Sequence, residues 1–182
     1  MLKKCGPWAI KKRVQKYKNP WIEVNEDQVI RPDGKPGIFG IVEQVGGVSV
    51  LPLDNKGFVY LTEEFRYAIN RRSIEVVSGA NKKGESALNA AKRELKEEIG
   101  VKAKKWDNLG LVNPLTSVLK SPQRLFLARA LEFTEASPEG TEIIKLIEIK
   151  LEEAVKMVMK SKITHAPTCT LILKANEYLK EK

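Results

Sequence analysis

Cysteine and histidine are scarce in this chain of 182 residues, which holds two Cys and one His. Cys5 and Cys169 do not suggest a disulfide framework, and their spacing fits no zinc pattern. Long apolar runs are missing too: no stretch approaches the ~20 residues that span a bilayer. The opening "MLKKCGPWAIKKRVQKYKNPW" is basic but has no continuous apolar core, so no signal peptide is expected. Internal repeats and low-complexity segments are also missing. These absences predict a reduced, cytoplasmic protein that does not enter a membrane.

What the chain does have is basic charge. Lys and Arg number 32 against 23 Asp and Glu, a net +9. Such a balance favours anionic partners: nucleic acid, acidic lipid or phosphorylated small molecules. Much of the excess sits at Lys3, Lys4, Lys11, Lys12, Arg13, Lys16 and Lys18. Two Trp and one Tyr accompany these bases, but no RNA- or DNA-binding motif does. Composition therefore favours a solvated basic arm there, with nucleic acid as an unlikely partner. An apolar content of 42% and a charged content of 30% suit one ordinary domain with a small appendage.

Turn signals divide the chain. "RPDGKPG" at 31–37 separates two alternating segments, "WIEVNEDQVI" and "IFGIVEQV", and predicts a hairpin. "GGVSVLPLD" and "GFVYLTEEFRYAI" predict two more strands around a turn at 54–57. "RSIEVVSG" reads as one short strand ending at Gly79. Further strands are expected near 105–112, 124–133 and 143–150. A helix is expected over 85–99, stopped by Gly100, with two more in "LEEAVKMVMK" and "HAPTCTLILKANEYLKEK". The order of elements predicts an α+β fold, an α/β/α sandwich in place of a regular βαβ repeat. The division expected is an N-terminal β appendage over 1–46 and a main domain over 47–182.

The stretch "GANKKGESALNAAKRELKEEIGV" poses the functional question. At about 100° per residue, Leu88, Ala91, Leu95 and Ile99 form an apolar stripe expected to face a sheet. Glu94, Glu97 and Glu98 fall together beside it, with Ala87 and Ala90 expected to keep the same arc open. Like charges at this spacing repel, and the helix dipole disfavours acids late in a helix. A plain Glu/Lys surface helix would intersperse its charges with Lys92 and Lys96. Crowded carboxylates call for a compensating cation, and a hard divalent ion takes oxygen ligands and keeps room for substrate phosphates.

These residues resemble the signature of the Nudix hydrolases, G-x5-E-x7-R-E-U-x-E-E-x-G-U with U aliphatic. Gly79, Glu85, Arg93, Glu94, Leu95, Glu97, Glu98, Gly100 and Val101 fill every specified position. Outside this box, "EEFRYAINRRSIEVVSG", "NPW", "RPDG" and "KITHAPTCTLILKA" resemble the ADP-ribose pyrophosphatase branch. Two departures stand out. Val77-Ser78 replaces the Pro usual before the box Gly, and Pro114 lies 13 residues past Val101 and is followed by Leu115.

The resemblance implies a Nudix α/β/α sandwich with a mixed sheet, and hydrolysis of a nucleoside diphosphate linked to another group. ADP-ribose is the first expected substrate. GDP-mannose, a dinucleoside polyphosphate, NADH or a capped RNA end are alternatives, as is a nucleotide-binding module without activity. Mg²⁺ (or Mn²⁺) is the implied cofactor, held by Glu94, Glu98 and the Ser78 carbonyl. Glu97 is either a further ligand or the group that orients water. Gly79, Glu85, Arg93 and Gly100 are implied to be structural. Glu139 and Glu142 are the candidate bases, with Glu142 preferred. Arg66 and Glu75 are candidate substrate contacts. Trp21 and Phe39 could stack on a base, with core packing as the other reading. His165 is expected only to start a helix. The N-terminal strands imply a homodimer.

Overall fold

The computed structural model describes residues 3–136 and 144–181. The strands are β1 (Lys3–Cys5), β2 (Trp8–Lys18), β3 (Ile22–Ile30), β4 (Pro36–Gln44), β5 (Gly47–Leu53), β6 (Phe58–Arg66), β7 (Arg71–Glu75), β8 (Val77–Ala80), β9 (Val101–Val112), β10 (Leu119–Lys120), β11 (Gln123–Phe133) and β12 (Lys145–Lys150). The helices are α1 (Ala87–Ile99), α2 (Leu151–Met159) and α3 (Ala166–Lys180). The chain forms two compact units. One runs to Gly46 and includes Asn113–Pro122; the other comprises Gly47–Val112 and the residues from Gln123 onward.

The first unit is a sheet in the order β1-β2-β3-β4-β10. The hairpin expected around 31–37 is β3 and β4, in register from Ile22↔Gln44 to Ile30↔Pro36. The basic arm is a correction to the sequence reading, because it forms strands β1 and β2, which pair with each other, and β2 pairs with β3. β3 supplies the acids that offset it. Arg13 Nε and Nη2 donate to the two carboxylate oxygens of Asp27 at 2.7 and 2.8 Å. Lys16 and Lys18 reach Glu26 and Glu23 at 3.0 and 2.8 Å. Each exposed cross-strand pair contributes less than about 1 kcal/mol, but together they fix register.

The second unit is a mixed sheet with the path β12-β6-β5-β11-β9, joined by β7 beside β6 and β8 beside β5. "RSIEVVSG" thus makes two short strands instead of one. β11 runs parallel to β5 and antiparallel to β9. Side-chain alternation explains the layers. Val48 and Val50 of β5, with Phe126 and Ala128 of β11, face α1. Leu51 and Leu53, with Leu125 and Leu127, face α2 and α3. Strands buried on both faces read as the continuous apolar runs seen in the sequence. The expected α+β, α/β/α sandwich is what the chain forms.

Helix α1 packs through Ala90, Ala91, Leu95 and Ile99. Burying a Leu or Ile side chain stabilises by roughly 1.5–3 kcal/mol. The stripe is displaced from the one predicted: Leu88 is exposed, and Ala90 is fully buried in its place. Ala87 also packs against that core. The two alanines therefore seat the helix and do not hold open its acidic face. Ser86 caps the start by accepting the Asn89 N–H. Gly100 ends the helix at φ 65°, donating to the Lys96 carbonyl. A Cβ there would overlap the Thr134 carbonyl, so glycine is needed on two grounds.

Candidate active site

The box residues meet where β8, the following loop and α1 converge. Arg93 is the hub. Its Nε and Nη2 donate to the two carboxylate oxygens of Glu85 at 3.0 and 2.9 Å, and Nη2 also reaches the Ala80 carbonyl at 3.0 Å. Its Nη1 donates to Glu94 at 2.6 Å and to Glu97 at 3.0 Å. One guanidinium thus bolts the loop to the helix and offsets two of the three crowded carboxylates. The fixed fork of donors on Arg suits such a role; Lys could not reach all five acceptors at once.

Each carboxylate feels this arrangement differently. Hydrogen bonds from Arg93, with one from the Lys82 N–H, hold Glu85 at about 2. Burial pushes the Glu94 carboxyl above its ordinary value; Arg93 opposes that shift and Glu97 adds to it. Burial thus makes the charge on Glu94 costly even with Arg93 in place. Its carboxyl end lies against the Gly79 backbone, where any side chain would overlap it.

The Glu85 shift has a testable consequence. A depressed folded-state pKa adds stability above the unfolded value, which is lost as pH falls through the folded value. The window runs from about 4.3, the ordinary Glu value, down to about 2. Glu85→Gln is expected to melt below wild type at pH 7, with the gap closing across that window. Thermal melts followed by circular dichroism check this. A constant gap from pH 7 to pH 2 would mean the Arg93 bond does not hold the proton off.

A second polar group lies on β6 and β7. Arg66 Nε and Nη2 donate to both oxygens of Glu75 at 3.2 and 2.7 Å, and Nη1 reaches Glu64 at 2.8 Å. Burial opposes charge on both partners, yet their mutual bonds win, so Arg66 is raised and Glu75 lowered. The charge of Glu98 also acts on Arg66, which links this pair to the acidic face of α1. His165 and Thr168, at the start of α3, complete the group. Sequence reading gave them no part, and nothing local signals it, since Val76 and Thr168 stand 92 residues apart.

The Ser78 hydroxyl bonds Ser49 and the Val76 carbonyl at 3.1 Å each. Trp21 and Phe39 belong to the first unit. They are 73% and 40% exposed, so neither is core, and Phe39 stacks edge-on with Trp8. Glu139 and Glu142 lie outside the described residues.

Carboxylates crowded on one helix face are the donors that hard divalent cations take, and burial and Glu97 both disfavour the charge on Glu94, so the donor set fits such an ion. Among the described residues, no three ligating side chains are already gathered around one point. Arg93 instead draws Glu94 and Glu97 toward itself. No helix of the described residues is long and apolar enough to cross a membrane.

Comparison with known proteins shows the family. The NUDIX domain profile matches residues 44–167, and that of the nucleoside diphosphate sugar hydrolase N-terminal domain matches 8–42. The chain is 30% identical over 153 residues to an ADP-ribose pyrophosphatase of Bacillus subtilis, covering 83% of each. It is 27% identical over 165 residues to the methanol dehydrogenase activator of Bacillus methanolicus, covering 88% of this chain and 89% of that one. An ADP-ribose pyrophosphatase of Mycobacterium tuberculosis is 29% identical over 109 residues, covering 59% of this chain and 53% of its own. A crystal structure of an ADP compounds hydrolase superposes with a TM-score of 0.85 at 18% identity, covering 98% of this chain and 97% of that one, a likeness of fold. A box complete in every acid, on the expected helix and anchored by its own arginine, places this chain in the Nudix family as a pyrophosphohydrolase of the ADP-ribose pyrophosphatase-like kind.

Proposed function

We propose that this enzyme hydrolyses ADP-ribose to AMP and ribose 5-phosphate with Mg²⁺ (or Mn²⁺), working as a homodimer through its N-terminal strands. The observation that carries this reading is the 30% identity to an ADP-ribose pyrophosphatase along 83% of both chains. The N-terminal match over 8–42 to a nucleoside diphosphate sugar hydrolase domain supports it outside the box.

In this reading Glu94, Glu98 and the Ser78 carbonyl hold the divalent ion. When bound, the ion supplies charge neutralisation on the pyrophosphate and a lowered pKa for water. Glu97 either joins the ligands or orients that water. Arg93 keeps Glu94 and Glu97 aligned. Arg66, fixed by Glu75, grips the diphosphate, where a fork of charged donors is strongest. Trp21 or Phe39 stacks on the base. Glu142, or Glu139 in its place, takes the proton of the attacking water.

A second reading takes another nucleoside diphosphate compound as the main substrate; the likeness to a methanol dehydrogenase activator favours it only in that a relative has a different role. A panel of ADP-ribose, GDP-mannose, NADH, a dinucleoside polyphosphate and capped RNA tests both. The first reading expects the highest kcat/KM on ADP-ribose. A preference of tenfold or so for any other compound would favour the second.

A further inference from the structure

Helix α3 starts beside the Arg66–Glu75 pair. His165, the only histidine in the chain, holds its N-cap position, but its side chain makes no capping hydrogen bond. Its Nδ1 instead lies 2.9 Å from Thr168 Oγ1 and 3.5 Å from the Glu75 carboxylate. Thr168 is fully buried, and its Oγ1 accepts the Val76 N–H at 3.0 Å. Glu75 is itself buried, at 6% exposure. Its backbone carbonyl accepts from Thr62 Oγ1 at 3.3 Å. The start of α3 is thereby pinned to the β7–β8 junction at the level of Glu75.

We propose that His165, held by Thr168, is a positioning residue for substrate binding: it fixes the Glu75 carboxylate, and Glu75 fixes the Arg66 guanidinium. The proposal rests on the reading of Arg66 as the diphosphate grip. A carboxylate hemmed in on two sides keeps one orientation. Without the imidazole at 3.5 Å, one side of the Glu75 carboxylate is open, and the Arg66–Glu75 pair is free to move together.

Protonation works against the same geometry. A charged imidazole places a second cation on the carboxylate that Arg66 needs. Other charged groups face this point from each packed element. Glu64 on β6 shares Arg66, and Glu98 on α1 acts on Arg66 by its charge. Arg71 on β7 bonds Thr164 Oγ1 at 2.9 Å, next to His165. Burial holds the ring below its ordinary value, with Arg66 adding to that and Glu75 opposing. The ring therefore takes up its proton only below the ordinary histidine range, and substrate binding weakens as it does so.

The test combines kinetics with the ring's own signal. His165→Ala is expected to raise KM about tenfold and change kcat by less than about threefold, as for loss of a polar neighbour that positions a binding group. His165→Asn, whose amide can stand in for Nδ1, should bring KM back to within about threefold of wild type. It should also lack the acid rise in KM. Arg66→Ala should raise KM at least as much, with Arg66→Ala/His165→Ala no worse than Arg66→Ala alone.

If Arg66→Ala raises KM while His165→Ala does not, the His165 proposal falls and the Arg66 reading stands. If Arg66→Ala leaves KM unchanged, both fall. Should His165→Ala not fold, NMR titration of the single histidine decides. Glu75→Gln must lower its pKa and Arg66→Ala must raise it. A ring that titrates alike in all three proteins overturns the coupling.

Discussion

Glu98→Gln is expected to lower turnover by at least about 10³-fold while the protein keeps its fold. Lewis-acid stabilisation is worth several kcal/mol, and each ~1.4 kcal/mol is tenfold in rate. The amide matches the carboxylate in shape and removes only the charge that would hold the ion. The melting temperature of the variant should stay close to that of wild type, which separates loss of the ion from loss of the fold. Wild-type turnover at saturating Mg²⁺ would remove Glu98 from the ligand set.

Gly79→Ala should be nearly as damaging to activity, about 100-fold, through a different route. The added Cβ would overlap Cγ, Cδ and Oε1 of Glu94. Gly79 sits in strand β8, which pairs with β5, and its backbone is not in the left-handed region, so the chain itself is not strained. The group that must move is the far end of a flexible side chain. A shift of about 1 Å in a catalytic group is enough for a loss of that size. The fold should survive, because the main core packing of α1, through Ala90, Ala91, Leu95 and Ile99, is untouched. Measured kcat and melting temperature separate the two effects. A variant with full activity would show that the place of Glu94 beside Gly79 has no bearing on the reaction.

Much of this site could be read in the sequence because its spacing lies on one helix. The acids, their arginine and the stopping glycine all fall within 23 residues, and helical geometry alone brings Glu94, Glu97 and Glu98 together. The hydrophobic stripe was less legible. Alanine carries little hydrophobic signal, so Leu88 was expected inside and Ala90 outside, whereas packing against Val48, Val50 and Phe126 reverses them. The compensation of the crowded acids was also only half visible. A pair between Arg93 and Glu97 follows from their i,i+4 spacing, but the reach to Glu85 and Ala80 needs the loop to fold back.

Strand β2 was hidden for another reason. Seven basic residues near the N-terminus read as a solvated arm until β3 supplies Asp27, Glu26 and Glu23 across the ladder to three of them, Arg13, Lys16 and Lys18. Register is a tertiary fact, and charge counted along the chain does not contain it. The same holds for His165. Its partners Glu75 and Thr168 come from distant segments, and a lone histidine before Ala166-Pro167 carries no sign of them.

Phosphorus NMR of ADP-ribose incubated with this enzyme and Mg²⁺ tests the central claim most directly. The account predicts that the pyrophosphate signals give way to two phosphomonoester signals, those of AMP and ribose 5-phosphate, and that Glu98→Gln leaves the substrate intact over the same time. An unchanged pyrophosphate spectrum with wild-type enzyme, under conditions where it cleaves another nucleoside diphosphate compound, would contradict it.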